Sequence, residues 1–304
     1  SGDSFAVGTT TVSYTATDDC GNSTTTSFTV TITDDEAPSI SGTPSDITQT
    51  ADAGDCSTAV TWTEPTTADN CSATMTSTHS PGASFAVGST TVTYTSVDPA
   101  GNTTTSSFTV TVTDDEDPAI AGNPGNLTQT ADAGQCSALV SWTAPTATDN
   151  CAISTFTSTH NSNDAFAVGT TTVTYTATDI HGNSSTSTFN VTVTDDEDPT
   201  ISDMPANITQ TADAGVCNAV VTWADPTTDD NCAISTFTST HNSGDTFNVG
   251  TTTVTYTSMD VNGNSSSASF TITVTDDEAP AISGTPANIT QDTDADACVA
   301  TVTW

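Results

Sequence analysis

The sequence contains no lysine and no arginine, although it carries 37 aspartate and glutamate residues among 304 positions. No conventional salt bridge can form within the chain, and its formal charge of -37 must be balanced by cations. The side chains that neutralise phosphate groups are missing, which disfavours nucleic acid and anionic membranes as partners. No apolar run reaches membrane-spanning length, so we predict no membrane insertion in this stretch.

Aromatic residues are also scarce, at 6% of the chain, and low hydrophobicity with high net charge is typical of disordered proteins. The apolar residues nevertheless alternate with polar ones, as in 172–177 and 189–193. This period of two indicates half-buried β-strands, whose exposed face suits the β-branched threonine. We predict an all-β chain without helices, and the core of its middle part is predicted to contain Val140, Trp142, Val173, Tyr175, Phe189 and Val191.

The chain is a tandem array, because its four tryptophans are 80, 81 and 81 residues apart, with the same landmarks around each. Turn signals within each period predict about seven short strands in a two-sheet β-sandwich. Short acidic links that contain proline join the units, so we expect an extended rod. The predicted units are a partial repeat (1–33), repeat 1 (34–113), repeat 2 (114–194), repeat 3 (195–275) and a second partial repeat (276–304).

The cysteines recur at a fixed spacing, and three pairs are each separated by 15 residues: Cys56 and Cys71, Cys136 and Cys151, and Cys217 and Cys232. We predict one disulfide within each complete repeat, because a unit of this size has a small core that a covalent link would stabilise. Disulfides indicate an oxidising, extracellular setting. A zinc site is the alternative, but two cysteines per repeat do not supply its usual ligand set. Cys298 is predicted to begin a fourth pair, whereas Cys20 has no counterpart in the other units.

Five short motifs recur in register along the whole chain: Cys-x-Ala-x-Val-x-Trp, Asp-Asn-Cys, Phe-x-Val-Gly-Thr-Thr-Thr-Val-Thr-Tyr, Asp-x-x-Gly-Asn and Asp-Asp-Glu-x-Pro. Together they resemble the hyalin repeat (HYR) module. The resemblance implies an immunoglobulin-like fold, an extracellular or cell-surface location and a role in adhesion. The complete lack of lysine and arginine departs from the family and leaves the partner undefined.

In an immunoglobulin-like sandwich, the Asp-Asn-Cys loop, the Asp-x-x-Gly-Asn turn and the Asp-Asp-Glu linker are expected at the same end of the repeat. We predict that their oxygens converge at each joint and bind structural Ca²⁺, which takes about six to eight oxygen ligands. Carboxylates this close, without a basic neighbour, would otherwise be costly. The alternative is that these residues only form turns, through side-chain bonds to their own backbone.

The predicted calcium ligands are grouped by joint. They are Asp34, Asp35, Glu36, Asp69, Asn70, Asp98 and Asn102 in the first; Asp114, Asp115, Glu116, Asp117, Asp149, Asn150, Asp179 and Asn183 in the second; and Asp195, Asp196, Glu197, Asp198, Asp230, Asn231, Asp260 and Asn264 in the third.

The sequence offers no catalytic pattern. His79, His160 and His241 recur without a nucleophile, a phosphate loop or a helix-borne histidine pair, so we interpret them as loop or strand-edge residues. We therefore predict a non-enzymatic, extracellular stalk or filament, either self-associated into fibres or part of one long surface chain. The alternative is an adhesin that recognises a glycan or a protein through its loops.

Overall fold

The computed structural model describes residues 2–304, so the first position of the predicted 1–33 unit lies outside the described residues. The described chain consists of strands, turns and loops and has no helix, which confirms the all-β prediction. Consequently, nothing in 2–304 qualifies as a long apolar helix able to cross a membrane.

The chain divides into two compact units. The first takes the residues up to Gly125 together with Trp142–Ser162 and Thr172–Asn190. The second takes Asn126–Ser141, Asn163–Thr171 and Val191–Trp304.

The strands repeat with the predicted period, and each complete repeat has eight of them. The partial repeat before them is a hairpin of β1 (Gly8–Thr17) and β2 (Ser23–Ile32). Repeat 1 contains β3 (Ser39–Ser41), β4 (Ile47–Thr50), β5 (Ser57–Val60), β6 (Thr66–Ala68), β7 (Thr74–Ser77), β8 (Ala83–Ala86), β9 (Gly88–Val97) and β10 (Thr103–Thr113). Repeat 2 contains β11 (Ala119–Ala121), β12 (Leu127–Thr130), β13 (Ser137–Val140), β14 (Thr146–Thr148), β15 (Ile153–Ser158), β16 (Asp164–Ala167), β17 (Gly169–Asp179) and β18 (Ser184–Thr194). Repeat 3 contains β19 (Thr200–Ser202), β20 (Ile208–Thr211), β21 (Asn218–Val220), β22 (Thr227–Asp229), β23 (Ile234–Ser239), β24 (Thr246–Asn248), β25 (Gly250–Asp260) and β26 (Ser265–Thr275).

Each complete repeat combines one four-stranded sheet with two short strand pairs. In repeat 1 the larger sheet has the order β4-β10-β9-β7, and the pairs are β3-β6 and β5-β8. Strand β4 runs parallel to β10, with Ile47 opposite Val110, while β9 and β10 form a long antiparallel hairpin. The same order recurs in repeats 2 and 3, as the prediction of tandem β-sandwich repeats requires.

The core of each repeat is built from alternate positions of its long strands. Phe270, Ile272 and Val274 on β26 are buried, and the threonines between them are not fully buried. The repeated tryptophan is hydrogen-bonded to a tyrosine of this core: Trp223 donates its Nε1–H to Tyr256 Oη at 2.8 Å. Trp62 with Tyr94 and Trp142 with Tyr175 make the same bond. Of the predicted core residues, Val140, Val173, Tyr175, Phe189 and Val191 are buried and Trp142 is half-buried.

The disulfide pairing differs from the prediction. The structure joins Cys56 to Cys151 and Cys136 to Cys232, at sequence separations of 95 and 96 residues. All three predicted pairs, Cys56–Cys71, Cys136–Cys151 and Cys217–Cys232, are therefore wrong, because each contains a cysteine that is bonded to another repeat. Among the described residues, the cysteines outside these two bonds are Cys20, Cys71, Cys217 and Cys298.

The two cysteines of one repeat lie at its opposite ends, which explains why they do not pair with each other. In repeat 1, Cys56 follows the loop whose Gly54 N–H bonds to Glu116, in the linker to repeat 2. Cys71 follows Asn70, whose Nδ2 bonds to Asp34, at the start of the repeat. The first cysteine of one repeat can therefore pair only with the second cysteine of the next repeat.

Candidate cation sites at the repeat joints

Three loops meet at the start of each complete repeat: the acidic linker before its first strand, the turn after its fourth strand, and the turn of its long hairpin. We number these joints by the repeat that they begin. In joints 1 and 2, three carboxylates each place one oxygen within 4.8 Å of the others: Asp34, Asp69 and Asp98 in joint 1, and Asp114, Asp149 and Asp179 in joint 2. In joint 3, oxygens of Asp195 and Asp230 lie within the same distance of each other and of the sulfur of Cys232.

The hairpin aspartate of each joint is a turn former. Asp179 is 2% exposed, and its Oδ1 accepts the backbone N–H groups of His181, Gly182 and Asn183. Its Oδ2 accepts Asn183 Nδ2 at 2.8 Å. Burial alone would raise the pKa of Asp179, but these hydrogen bonds outweigh it and lower the pKa below its usual value. Asp98 and Asp260 have corresponding bonds and a lowered pKa, so these contacts match the turn-forming interpretation.

Asp179→Asn is expected to lower the free energy of unfolding by about 1–3 kcal/mol. The NH₂ group of the new asparagine would face one of the buried N–H donors that the carboxylate now accepts, and that donor would lose its partner. The folded-state pKa of Asp179 is lowered, so its contribution is fully present above about pH 5, and is lost as the pH falls through the folded-state value. Denaturant unfolding of both proteins at neutral pH and near pH 3 measures this difference.

The matched control is Asp117→Asn, because Asp117 is exposed. It should change the stability little at either pH. A difference between wild type and Asp179→Asn that stays the same at pH 3 would contradict this account of the turn.

The linker aspartate connects all three loops. The side chain of Asp114 is 1% exposed, and its Oδ1 accepts Asn150 Nδ2 at 3.1 Å. Its Oδ2 lies 3.1 Å from His181 Nδ1, and its backbone oxygen accepts Asn183 Nδ2 at 3.2 Å. In joint 3, Asp195 has the corresponding bonds from Asn231, Asn262 and Asn264.

The loop aspartate of each joint keeps one oxygen that no donor reaches. One oxygen of Asp69 accepts the N–H of Cys71, and Asp149 and Asp230 accept the equivalent N–H groups. Their other oxygens, Asp69 Oδ1, Asp149 Oδ1 and Asp230 Oδ1, expose less than 1 Å² and have no hydrogen-bond partner. The same holds for Asn150 Oδ1 and Asn231 Oδ1. Buried oxygens without a partner are costly, and a hard cation such as Ca²⁺ would bind them.

Other predicted ligands do not reach these clusters. The remaining linker acids are exposed and absent from the groups of close carboxylates: Asp35, Asp115, Asp117, Asp196 and Asp198. The linker glutamates point to the preceding repeat instead, since Glu116 Oε2 accepts Gly54 N–H at 2.8 Å and Glu197 Oε2 accepts Gly134 N–H at 3.0 Å. Glu36 has a backbone bond to Asp34 within its own linker.

Sequence reasoning missed the contacts that hold neighbouring repeats together. Besides the glycines just named, Asn150 Nδ2 donates to the backbone oxygen of Asp55, next to the Cys56–Cys151 disulfide. Asn231 Nδ2 donates in the same way to Gln135, next to Cys136–Cys232. The available signal was the recurring Ala-Asp-Ala-Gly segment, whose glycine precedes the linker glutamate by 62 or 63 residues.

Comparison with known proteins gives the same register. The HYR domain model matches residues 1–32, 33–112, 113–193 and 194–274. Hyalin of Lytechinus variegatus is 39% identical over 265 residues, which cover 83% of this chain and 50% of that protein. Hyalin of Strongylocentrotus purpuratus is 40% identical over 259 residues, which cover 82% of this chain and 22% of that protein. The chain therefore spans half or less of the length of these two relatives.

Solved structures with a detectable likeness include the protocadherin gamma B2 extracellular cadherin domains 1–5, with 16% identity and a TM-score of 0.31. That match covers 90% of this chain and 66% of the other. Drosophila N-cadherin EC1-3 is 14% identical with a TM-score of 0.31, and the match covers 76% of this chain and 98% of the other.

Proposed function

The chain belongs to the HYR-domain family of extracellular, adhesion-type repeat proteins, and on that premise we propose that it is a structural stalk or filament whose joints bind Ca²⁺. The observation that carries the proposal is the set of buried oxygens without donors at the joints of a chain without lysine or arginine. A bound cation would connect the linker to two loops of the following repeat and so restrict bending at the joint.

The turn-forming interpretation accounts for only part of each joint. It explains Asp98, Asp179 and Asp260, whose oxygens are all used by donors of their own turn. It does not explain why the loop aspartates bury an oxygen that has no partner. Ca²⁺ is favoured over soft metals because the buried groups without a partner are carboxylate and amide oxygens, and the cysteines of joints 2 and 3 are in disulfides. Joint 1 also contains the thiol of Cys71.

The disulfides support the same function. Each connects a loop of one repeat to the Asp-Asn-Cys turn of the next, directly beside the carboxylate cluster. A covalent link and a cation would then restrain the same joint, which suits a protein under tension. Self-association into fibres, and recognition of a glycan or protein ligand by an adhesin, are further proposals for this family.

Small-angle scattering of the full chain tests the proposal. In 10 mM Ca²⁺ we expect a larger radius of gyration and a less flexible profile than in excess chelator. Because a highly charged chain also responds to screening, the control is Mg²⁺ at the same ionic strength, which prefers stricter octahedral geometry. Profiles that superimpose in Ca²⁺, Mg²⁺ and chelator would reject calcium-stiffened joints.

A further inference from the structure

One of the positions at which the three joints differ is the third residue of the Asp-x-x-Gly-Asn turn. In joint 2 this residue is His181, with Nδ1 3.1 Å from Asp114 Oδ2. In joint 3 it is Asn262, whose Nδ2 donates to Asp195 Oδ2 at 2.8 Å. In joint 1 it is Ala100, which has no side-chain donor. The second oxygen of the linker carboxylate, Oδ2, thus has a side-chain nitrogen partner in joints 2 and 3 and none in joint 1.

The linker oxygen of joint 1 is buried without an N–H donor. Asp34 Oδ2 exposes less than 1 Å². The thiol of Cys71, a weak donor, faces this carboxylate, whose hydrogen bond raises the pKa of the thiol. Asp69 Oδ1, in the same cluster, is also buried without a partner.

We propose that the third turn residue sets the calcium affinity of its joint, so that joint 1 binds Ca²⁺ more tightly than joints 2 and 3. This inference rests on the proposed function. An N–H donor occupies the linker oxygen and places the positive end of its dipole where the cation would bind. Ala100 gives this oxygen no N–H donor, whereas His181 and Asn262 partly replace the cation.

A glutamate-specific protease can report on the joints separately in the full chain. Each of the three linkers contains one glutamate, and Glu278 is an exposed glutamate outside these three joints, so its cleavage serves as an internal control. The Ca²⁺ concentration that half-protects each linker is measured at one fixed pH, by mass analysis after reduction.

His181→Ala is expected to lower the protection midpoint at Glu116 by about tenfold, because a hydrogen bond to a charged group is worth at least this factor. The midpoint at Glu197 should not move. Asn262→Ala should have the reverse pattern, and His181→Asn should stay close to wild type. Ala100→Asn should raise the midpoint at Glu36. Alanine and asparagine already occupy this position in joints 1 and 3, so the variants are compatible with the turn.

The outcomes separate this inference from the proposed function. If Ca²⁺ protects the linkers but these substitutions leave every midpoint unchanged, the graded affinity is wrong and calcium binding stands. If Ca²⁺ protects no linker in the folded wild-type chain or in His181→Ala, both proposals are rejected.

Discussion

A glutamate-specific protease is expected to leave fragments 37–116, 117–197 and 198–278 joined in one covalent complex when it digests the unreduced, thiol-blocked chain. Cleavage after Glu36, Glu116, Glu197 and Glu278 separates the repeats, whereas Glu64 is followed by Pro65 and is not cleaved. The Cys56–Cys151 bond then connects 37–116 to 117–197, and the Cys136–Cys232 bond connects 117–197 to 198–278. The effect is all-or-none, because each fragment contains both cysteines of its own repeat and only a bond between repeats can join two fragments.

Pairing within each repeat would give a different product. The Cys56–Cys71, Cys136–Cys151 and Cys217–Cys232 bonds would each lie within one fragment and leave 37–116, 117–197 and 198–278 separate. Mass analysis under denaturing conditions distinguishes these patterns, and a reduced sample, in which every fragment separates, is the control. Recovery of 37–116, 117–197 and 198–278 as separate fragments from the unreduced chain would contradict the covalent link between repeats.

The link between repeats changes what the disulfides stabilise. A bond that closes a loop of about 15 residues restricts one unfolded repeat, whereas loops of 95 and 96 residues include most of a repeat and the joint. Each disulfide therefore holds two neighbouring repeats in register even when one of them is partly open. Reducing these disulfides therefore perturbs the joints between repeats.

The fold was predictable because its signals are local and repeated. The alternation of apolar and polar residues in 172–177 predicts strand β17, since only one face of a half-buried strand takes apolar side chains. The Trp142 to Tyr175 bond explains why the tryptophan recurs with each repeat. The number of strands was underestimated, because pairs as short as β11 and β14 contain too few residues to show a period.

The site was predictable only in part. The prediction that three loops lie at the same end of the sandwich correctly placed Asp114, Asp149 and Asp179 close together. Which linker acid faces the cluster depends on the direction of one backbone segment, and composition does not reveal that Asp114 is buried while Asp115 is exposed. The disulfide pairing failed for a related reason, because a spacing of 15 residues does not show that the two cysteines lie at opposite ends of a repeat.

Calcium is expected to raise the midpoint of thermal unfolding by about 10–20 °C relative to excess chelator. A ligand at about 100 times its Kd stabilises the folded state by about 2.7 kcal/mol per site. For a unit of 60–100 residues, each kcal/mol shifts the midpoint by about 4–8 °C. Extracellular calcium modules have Kd values of about 0.1–1 mM, so about 10 mM Ca²⁺ approaches this regime at the tighter end.

The most direct test of cation binding by the buried linker acids compares two triple variants of equal charge. One carries Asp34→Asn, Asp114→Asn and Asp195→Asn, and the other carries asparagine at the adjacent exposed positions 35, 115 and 196. Thermal unfolding in Ca²⁺ and in chelator should show the calcium shift abolished in the first variant and retained in the second. Equal calcium shifts in the two variants would contradict the joint sites.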